Sequence, residues 1–160
     1  MKKRMWNLLL EYLKDSKRSD RALAGILGVS QPTVTRMRNK MVKDGVIQEL
    51  TIIPDFMKMG FKILAITFTK TRFDPELTER AKKSAMAKPN IVLCAFSQGL
   101  GMNGIIVSLH RDYSEYSDFF ANYMTEWRDV VEDHDCLLVS LGGTIIKPFS
   151  LKYLAELKEK

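Results

Sequence analysis

Cysteine is scarce in this chain. Only Cys94 and Cys136 occur among 160 residues, far apart and without the neighbours of a zinc ligand or a CxxC pair. A disulfide scaffold is excluded, and the apolar runs around both predict buried, reduced thiols. Nine glycines and five prolines are too few for a collagen-like or low-complexity chain. No apolar run approaches the roughly 18 residues of a membrane span. The basic start Lys2-Lys3-Arg4 is followed by Leu8-Leu9-Leu10, which Glu11 and Lys14 interrupt at once, so a signal peptide is not expected and the cytoplasm is. Histidine occurs only as His110 and His134, and no phosphate loop, nucleophile elbow or metal cluster is written anywhere. No metal and no cofactor are implied. What remains is an ordinary folded composition, 46% hydrophobic and 28% charged, in a length that suits one domain or two small ones.

Charge is present but unevenly placed. The first 60 residues hold twelve Lys/Arg against six Asp/Glu, which is the whole net charge of +6; the remaining hundred hold thirteen of each. A basic module joined to a neutral one is the pattern of a polyanion-binding domain, because phosphate contacts supply most non-specific affinity for nucleic acid.

Local signals in the basic part give three helices. Trp6, Leu9, Leu10 and Leu13 recur at i, i+3, i+4 and i+7 and predict an amphipathic helix with that apolar stripe. Ser19 is an N-cap for a second helix with Leu23, Ile26 and Leu27 inside, and Gly28 stops it. Ser30 then caps a third helix, with Pro32 in its first turn and Gly45 at its end. Two helices joined by Gly28-Val29-Ser30 are a helix-turn-helix. At about 100° per residue, Val34, Met37 and Met41 face inward. Pro32, Arg36, Asn39 and Lys43 lie opposite, flanked by Thr35 and Lys40, with Gln31 and Thr33 in the first turn. No acid occurs from Ser30 to Lys43. Gln31, Thr33, Thr35, Arg36 and Asn39 are therefore assigned to base edges, and Arg38, Lys40, Lys43 and the basic start to phosphates. The β-branched run Val46–Ile53 ends at Pro54 and reads as a strand, a wing beside the helices.

The neutral part alternates its periods. Strands are predicted at Phe61–Thr71, Ile91–Phe96, Ile105–Leu109 and Asp135–Ile146, the last with a bulge at Gly142-Gly143. Helices are predicted at Pro75–Ala87, Asp112–Arg128 and, at the end, Ser150–Leu157, with Gly99–Gly104 as a loop. Tyr116, Phe119, Phe120, Tyr123 and Trp127 are spaced as the buried stripe of the long helix. The order β-α-β-β-α-β is ferredoxin-like, with both helices on one sheet face. The fold class is thus α+β: a three-helix winged helix-turn-helix domain over residues 1–54, a linker at 55–60 and a ferredoxin-like domain over 61–160. The other sheet face, formed by one of the alternating sets Ile63, Ala65, Thr67 or Leu64, Ile66, Phe68, is left for a second copy of the chain.

The stretch Asp20-Arg21-Ala22-Leu23-Ala24, then Leu27-Gly28-Val29-Ser30, Val34, Arg36 and Asp44-Gly45-Val46-Ile47, resembles the helix-turn-helix of the Lrp/AsnC, or feast/famine, regulators. The Leu50–Gly60 linker and the following element order look like that family's regulatory domain. The resemblance implies a prokaryotic transcription factor that binds double-stranded DNA as a homodimer or a ring of dimers, modulated by an amino acid held between subunits. It also implies effector contacts from the loop after the second strand, here Gly99, Gly101 and Asn103. Asn103 stands where the family carries an acid, and an amide offers no full charge to an ammonium group.

Two other functions compete. Some relatives of that family decarboxylate sirohaem on the same two-domain frame, and His110 beside Arg111 would be the candidate pair here. An architectural nucleoid protein would keep the phosphate contacts and lose base discrimination. The acid-free third helix and the charge concentrated around it favour the regulator, which is not an enzyme.

Overall fold

The computed structural model describes residues 2–72 and 74–157. The chain divides into two compact units, Met1–Ile53 with the segment from Lys147 onward, and Pro54–Ile146.

In the first unit, α1 (Lys3–Lys14), α2 (Asp20–Leu27) and α3 (Gln31–Lys43) surround Leu8, Leu23, Val34 and Met41, all 0% exposed. The buried stripe of α1 is Met5, Leu8 and Tyr12, with Leu9 beside it. It is rotated from the expected one, so Trp6, Leu10 and Leu13 are only half-buried. The same helix also meets a short 3-10 turn, Leu151–Glu156, which therefore belongs with this unit rather than with the second domain as expected. Ile26 of α2 is exposed as well, and Ala24 takes its place inside.

Ser19 caps α2 by accepting from the Ala22 N–H at 3.2 Å, and Gly28 ends it at φ 63°, a left-handed position that favours glycine. The predicted wing strand is not formed. The Val46 and Ile47 N–H groups both bond back to the Met41 carbonyl, closing the end of α3, and only Ile47 of that run enters the core. Leu50, Ile52 and Ile53 are exposed and unladdered.

The second unit is β1 (Ile63–Thr71), α4 (Leu77–Met86), β2 (Ile91–Gly99), β3 (Met102–His110), α5 (Tyr113–Trp127) and β4 (Val131–Ser140). The sheet order is β2-β3-β1-β4, all antiparallel, the ferredoxin-like arrangement. Ala65, Thr67, Ile106, Ser108 and His110 point to the helices and are buried. Leu77 of α4 and Tyr123 and Trp127 of α5 share one cluster with Ile106, which puts both helices on that face.

Several boundaries differ from the expected ones. The loop expected at Gly99–Gly104 is a two-residue hairpin turn, because Gly99 already pairs with Met102. The last strand begins at Val131 rather than Asp135, drawn back by pairing with Thr71. It stops at Ser140, so Gly142-Gly143 lies in the following turn and not in a bulge. The final helix is a 3-10 turn. Both cysteines lie on edge strands, Cys94 exposed on β2 and Cys136 half-buried on β4.

His110 is 0% exposed. Its Nε2 meets Ser108 Oγ at 2.8 Å, its Nδ1 has no partner among the described residues, and its ring lies against Tyr116 and Phe119. Burial holds its pKa below the ordinary 6.5, against the opposing pull of Glu115. The folded chain therefore refuses a proton that the unfolded chain accepts, so stability is complete above about pH 6.5 and falls as the pH drops from there toward the folded pKa. Urea unfolding of the parent and His110→Phe across pH 5 to 7 should show an acid-side loss in the parent alone, with a difference slope of at most about 1.4 kcal/mol per pH unit. Parallel curves would contradict the buried neutral ring.

Candidate nucleic-acid interface

The outward face of α3 carries Gln31, Pro32, Thr35, Arg36 and Asn39, which line one shallow groove. These positions are i, i+1, i+4, i+5 and i+8 of the helix, and so share a face at about 100° per residue. Gln31, Arg36, Asn39 and Lys43 are exposed and have no side-chain partner among the described residues. Amide groups and a guanidinium presented together are the donors and acceptors that pair with base edges.

Other expected DNA contacts are already occupied. Thr33 Oγ1 lies 2.9 Å from Ser30 Oγ, and Lys40 pairs with Asp44 at 2.8 Å across one turn. Arg38 donates to Asp20 Oδ1 at 2.7 Å. Thr35 donates to Asp20 Oδ2 at 2.6 Å and shares its hydroxyl with the Gln31 carbonyl. Tyr12 of α1 reaches the same carboxylate at 3.3 Å.

Asp20 thus joins all three helices through one side chain, only 11% exposed. Burial, with that carboxylate beside it, pushes the Tyr12 phenol above its usual range. Nearby, Glu11 is held below the usual carboxylate range by hydrogen bonding to Lys14, with Arg18 on its other oxygen. The sequence marks Asp20 only as an acid suited to a helix start. The i, i+15 and i+18 partners that reveal its role exist only once α2 and α3 cross.

The expected effector residues lie at the β2–β3 hairpin. Leu100 and Gly101 take φ of 54° and 74°, the positive values such a two-residue turn demands, Gly99 before them has φ 148°, and Leu100 is 86% exposed. Asn103 is engaged: its Oδ1 accepts from the Thr71 N–H at 2.9 Å and its Nδ2 donates to the Thr71 carbonyl at 2.9 Å, which extends the β1–β3 ladder with a side chain. His110 is sealed from any substrate, and His134 packs its ring against Phe120.

Among the described residues no group of His, Cys, Asp and Glu is placed to hold a metal, and no helix is long and apolar enough to cross a membrane.

Residues 1–48 match the family model described as winged helix-turn-helix DNA-binding. An uncharacterized HTH-type transcriptional regulator of Pyrococcus horikoshii is 34% identical over 83 residues, 50% of this chain and 54% of that protein, so the chain spans about half the length of the curated relatives it matches. An AsnC family transcriptional regulator from Agrobacterium tumefaciens superposes with a TM-score of 0.78 at 20% identity, over 96% of this chain and 99% of its own. A Neisseria meningitidis transcriptional regulator in complex with L-Met gives 0.79 at 15% identity, with the same coverage. Identities this low show the fold.

Asp20→Ala should lower the unfolding free energy by about 1–3 kcal/mol, the usual cost of leaving a partly buried ionic hydrogen-bond centre unpaired. Urea denaturation measures it, and an unchanged midpoint would remove Asp20 from its joining role. Residues 1–48 of this chain match a winged helix-turn-helix DNA-binding model, and nearly the whole chain has the fold of the AsnC-type, or Lrp/AsnC, transcriptional regulators.

Proposed function

We propose that the chain is a sequence-selective, DNA-binding transcriptional regulator of the Lrp/AsnC type, in which α3 enters the major groove. The observation that carries this reading is the outward face of α3, where Gln31, Arg36 and Asn39 stand together with no partner among the described residues and no acid on the helix. Arg38 and Thr35, tied to Asp20, hold this face in place, and Lys43 with the basic start of the chain serves the phosphates. The matching family model and the relatives named as transcriptional regulators support the same reading.

The proposal includes a dimer formed through the open sheet face. Leu64, Ile66 and Phe68 of β1 are flanked by Ile105 and Val107 of β3 and by Leu137 and Val139 of β4, an apolar surface on the side of the sheet away from α4 and α5 that is half-buried to exposed. It also includes modulation by an amino acid at the β2–β3 hairpin. The complex of the Neisseria regulator with L-Met supports this, and the backbone groups of Gly99, Leu100 and Gly101 are the donors and acceptors on offer there.

Fluorescence anisotropy on the duplex upstream of the chain's own coding sequence, against a scrambled duplex and across a salt series, tests the function. Arg36→Ala should cost about 1–3 kcal/mol on the selected duplex, the worth of a bidentate base contact. Lys43→Ala should weaken both duplexes alike and reduce the logarithmic salt slope by about 0.9. Equal binding of both duplexes by the parent protein would replace selective regulation with an architectural role, and no binding at low salt would end the nucleic-acid reading. Ile66→Glu, at the centre of the open face, should sediment as a monomer while keeping the parent's circular dichroism; a dimer retained by that variant would move the interface elsewhere.

A further inference from the structure

We propose that the cavity between α4 and the β2–β3 side of the sheet is a binding site for a small apolar monocarboxylate that carries no ammonium group. The space exists because of how α4 is held. Its inward positions are Leu77, Ala81, Ser84 and Ala85, and only Leu77 is buried. Three small side chains cannot fill the gap above the strands. The helix is kept in place instead by its other side. Arg80 donates to both carboxylate oxygens of Asp129 at 2.6 and 2.9 Å, with its guanidinium 4.5 Å from the centre of the Trp127 ring. Lys88, just beyond the helix, pairs with Glu126 at 2.7 Å. Ionic contacts thus fix the helix over a cavity of about 430 Å³. Interiors are ordinarily close-packed, and a space of this size falls within the range of ligand sites.

The lining selects the ligand. Ile91, Phe96, Ile106 and Trp127 supply apolar walls. Thr69, Thr71, Ser84, Cys94 and Tyr123 supply neutral polar groups. Burial pushes the Tyr123 phenol up to about 12, so it stays an uncharged donor. Lys82 is the one charged residue of the lining, and no Asp or Glu stands in it. A carboxylate gains a cation and hydroxyl donors there. An ammonium group would enter an apolar space with no counter-charge, a costly transfer. The site is therefore distinct in chemistry from an amino-acid site and in place from the hairpin at Gly99–Gly101 and the open sheet face.

The test uses the full chain and 3-phenylpropionate as the probe, followed by calorimetry and tryptophan fluorescence. DNA is not part of the readout, so the result is independent of the regulator reading. Saturable binding of one probe per chain is expected, with 2-phenylethylamine and phenylalanine weaker by about tenfold or more. Lys82→Gln, an exposed position, should weaken the carboxylate about tenfold and leave 3-phenylpropionamide unchanged. Ala85→Leu fills the space and should abolish binding while the unfolding midpoint stays at or above the parent's. Should that variant fail to fold, the Lys82→Gln comparison decides alone. No saturation up to about 10 mM, equal affinity for acid and amine, or undiminished binding in Lys82→Gln overturns the proposal.

Discussion

The carboxylate of Asp20 is the constraint on which the first unit depends. A carboxylate mostly removed from water is tolerated only when its oxygens are fully engaged, and here Tyr12, Thr35 and Arg38 engage them from α1 and α3. Geometry follows from that requirement. Arg38 and Thr35 turn one flank of α3 toward α2, which directs Gln31, Arg36 and Asn39 outward as a set rather than as independently mobile side chains. The apolar cluster of Leu8, Leu23, Val34 and Met41 supplies the non-directional attraction that packs the helices. Non-directional burial alone leaves rotation about a helix axis loosely defined; a hydrogen-bonded ion centre defines it.

In the second unit the same contrast recurs. Its sheet is held by three antiparallel ladders, of which the central β1–β3 pair keeps one register throughout, and its helix-facing side is covered by α5, whose aromatic residues Tyr116, Tyr123 and Trp127 are nearly buried. α4 follows a different rule, with small residues inward and ionic side chains gripping α5 and the turn after it. One helix is a packed wall and the other a supported roof. Asn103 shows how economically the hairpin end is finished, its carboxamide taking the place of a backbone pair with Thr71.

Much of the architecture was legible beforehand because it is local. α2 carries its own caps in Ser19 and Gly28, and all three N-terminal helices carry their own periodicity. The β-α-β-β-α-β order follows from alternation switching between periods of two and 3.6. The outward identity of Arg36, Asn39 and Lys43 was legible for the same reason, since angular position along a helix is set by spacing alone. Misreadings fell where both faces of an element were apolar or where the decision belonged to another segment. Trp6 and Leu9 lost the centre of α1 to Met5 and Tyr12, and Ile26 yielded to Ala24. The run Val46–Ile53 has the composition of a strand but no partner strand, and its first N–H groups are used to close α3.

The sequence by itself determined the types of the five α-helices and four strands, the concentration of positive charge in the first sixty residues and the absence of acids along α3, because these depend on neighbours in the chain. The tertiary structure alone decided which polar groups remain free. Arg38 and Arg36 are chemically equal and two residues apart, yet one is bound to Asp20 and the other faces solvent. His110 became a sealed neutral ring, Cys94 an exposed edge residue, and the small residues of α4 the roof of a cavity. Burial and pairing are properties of contacts between distant segments, and such contacts exist only after the chain has closed on itself.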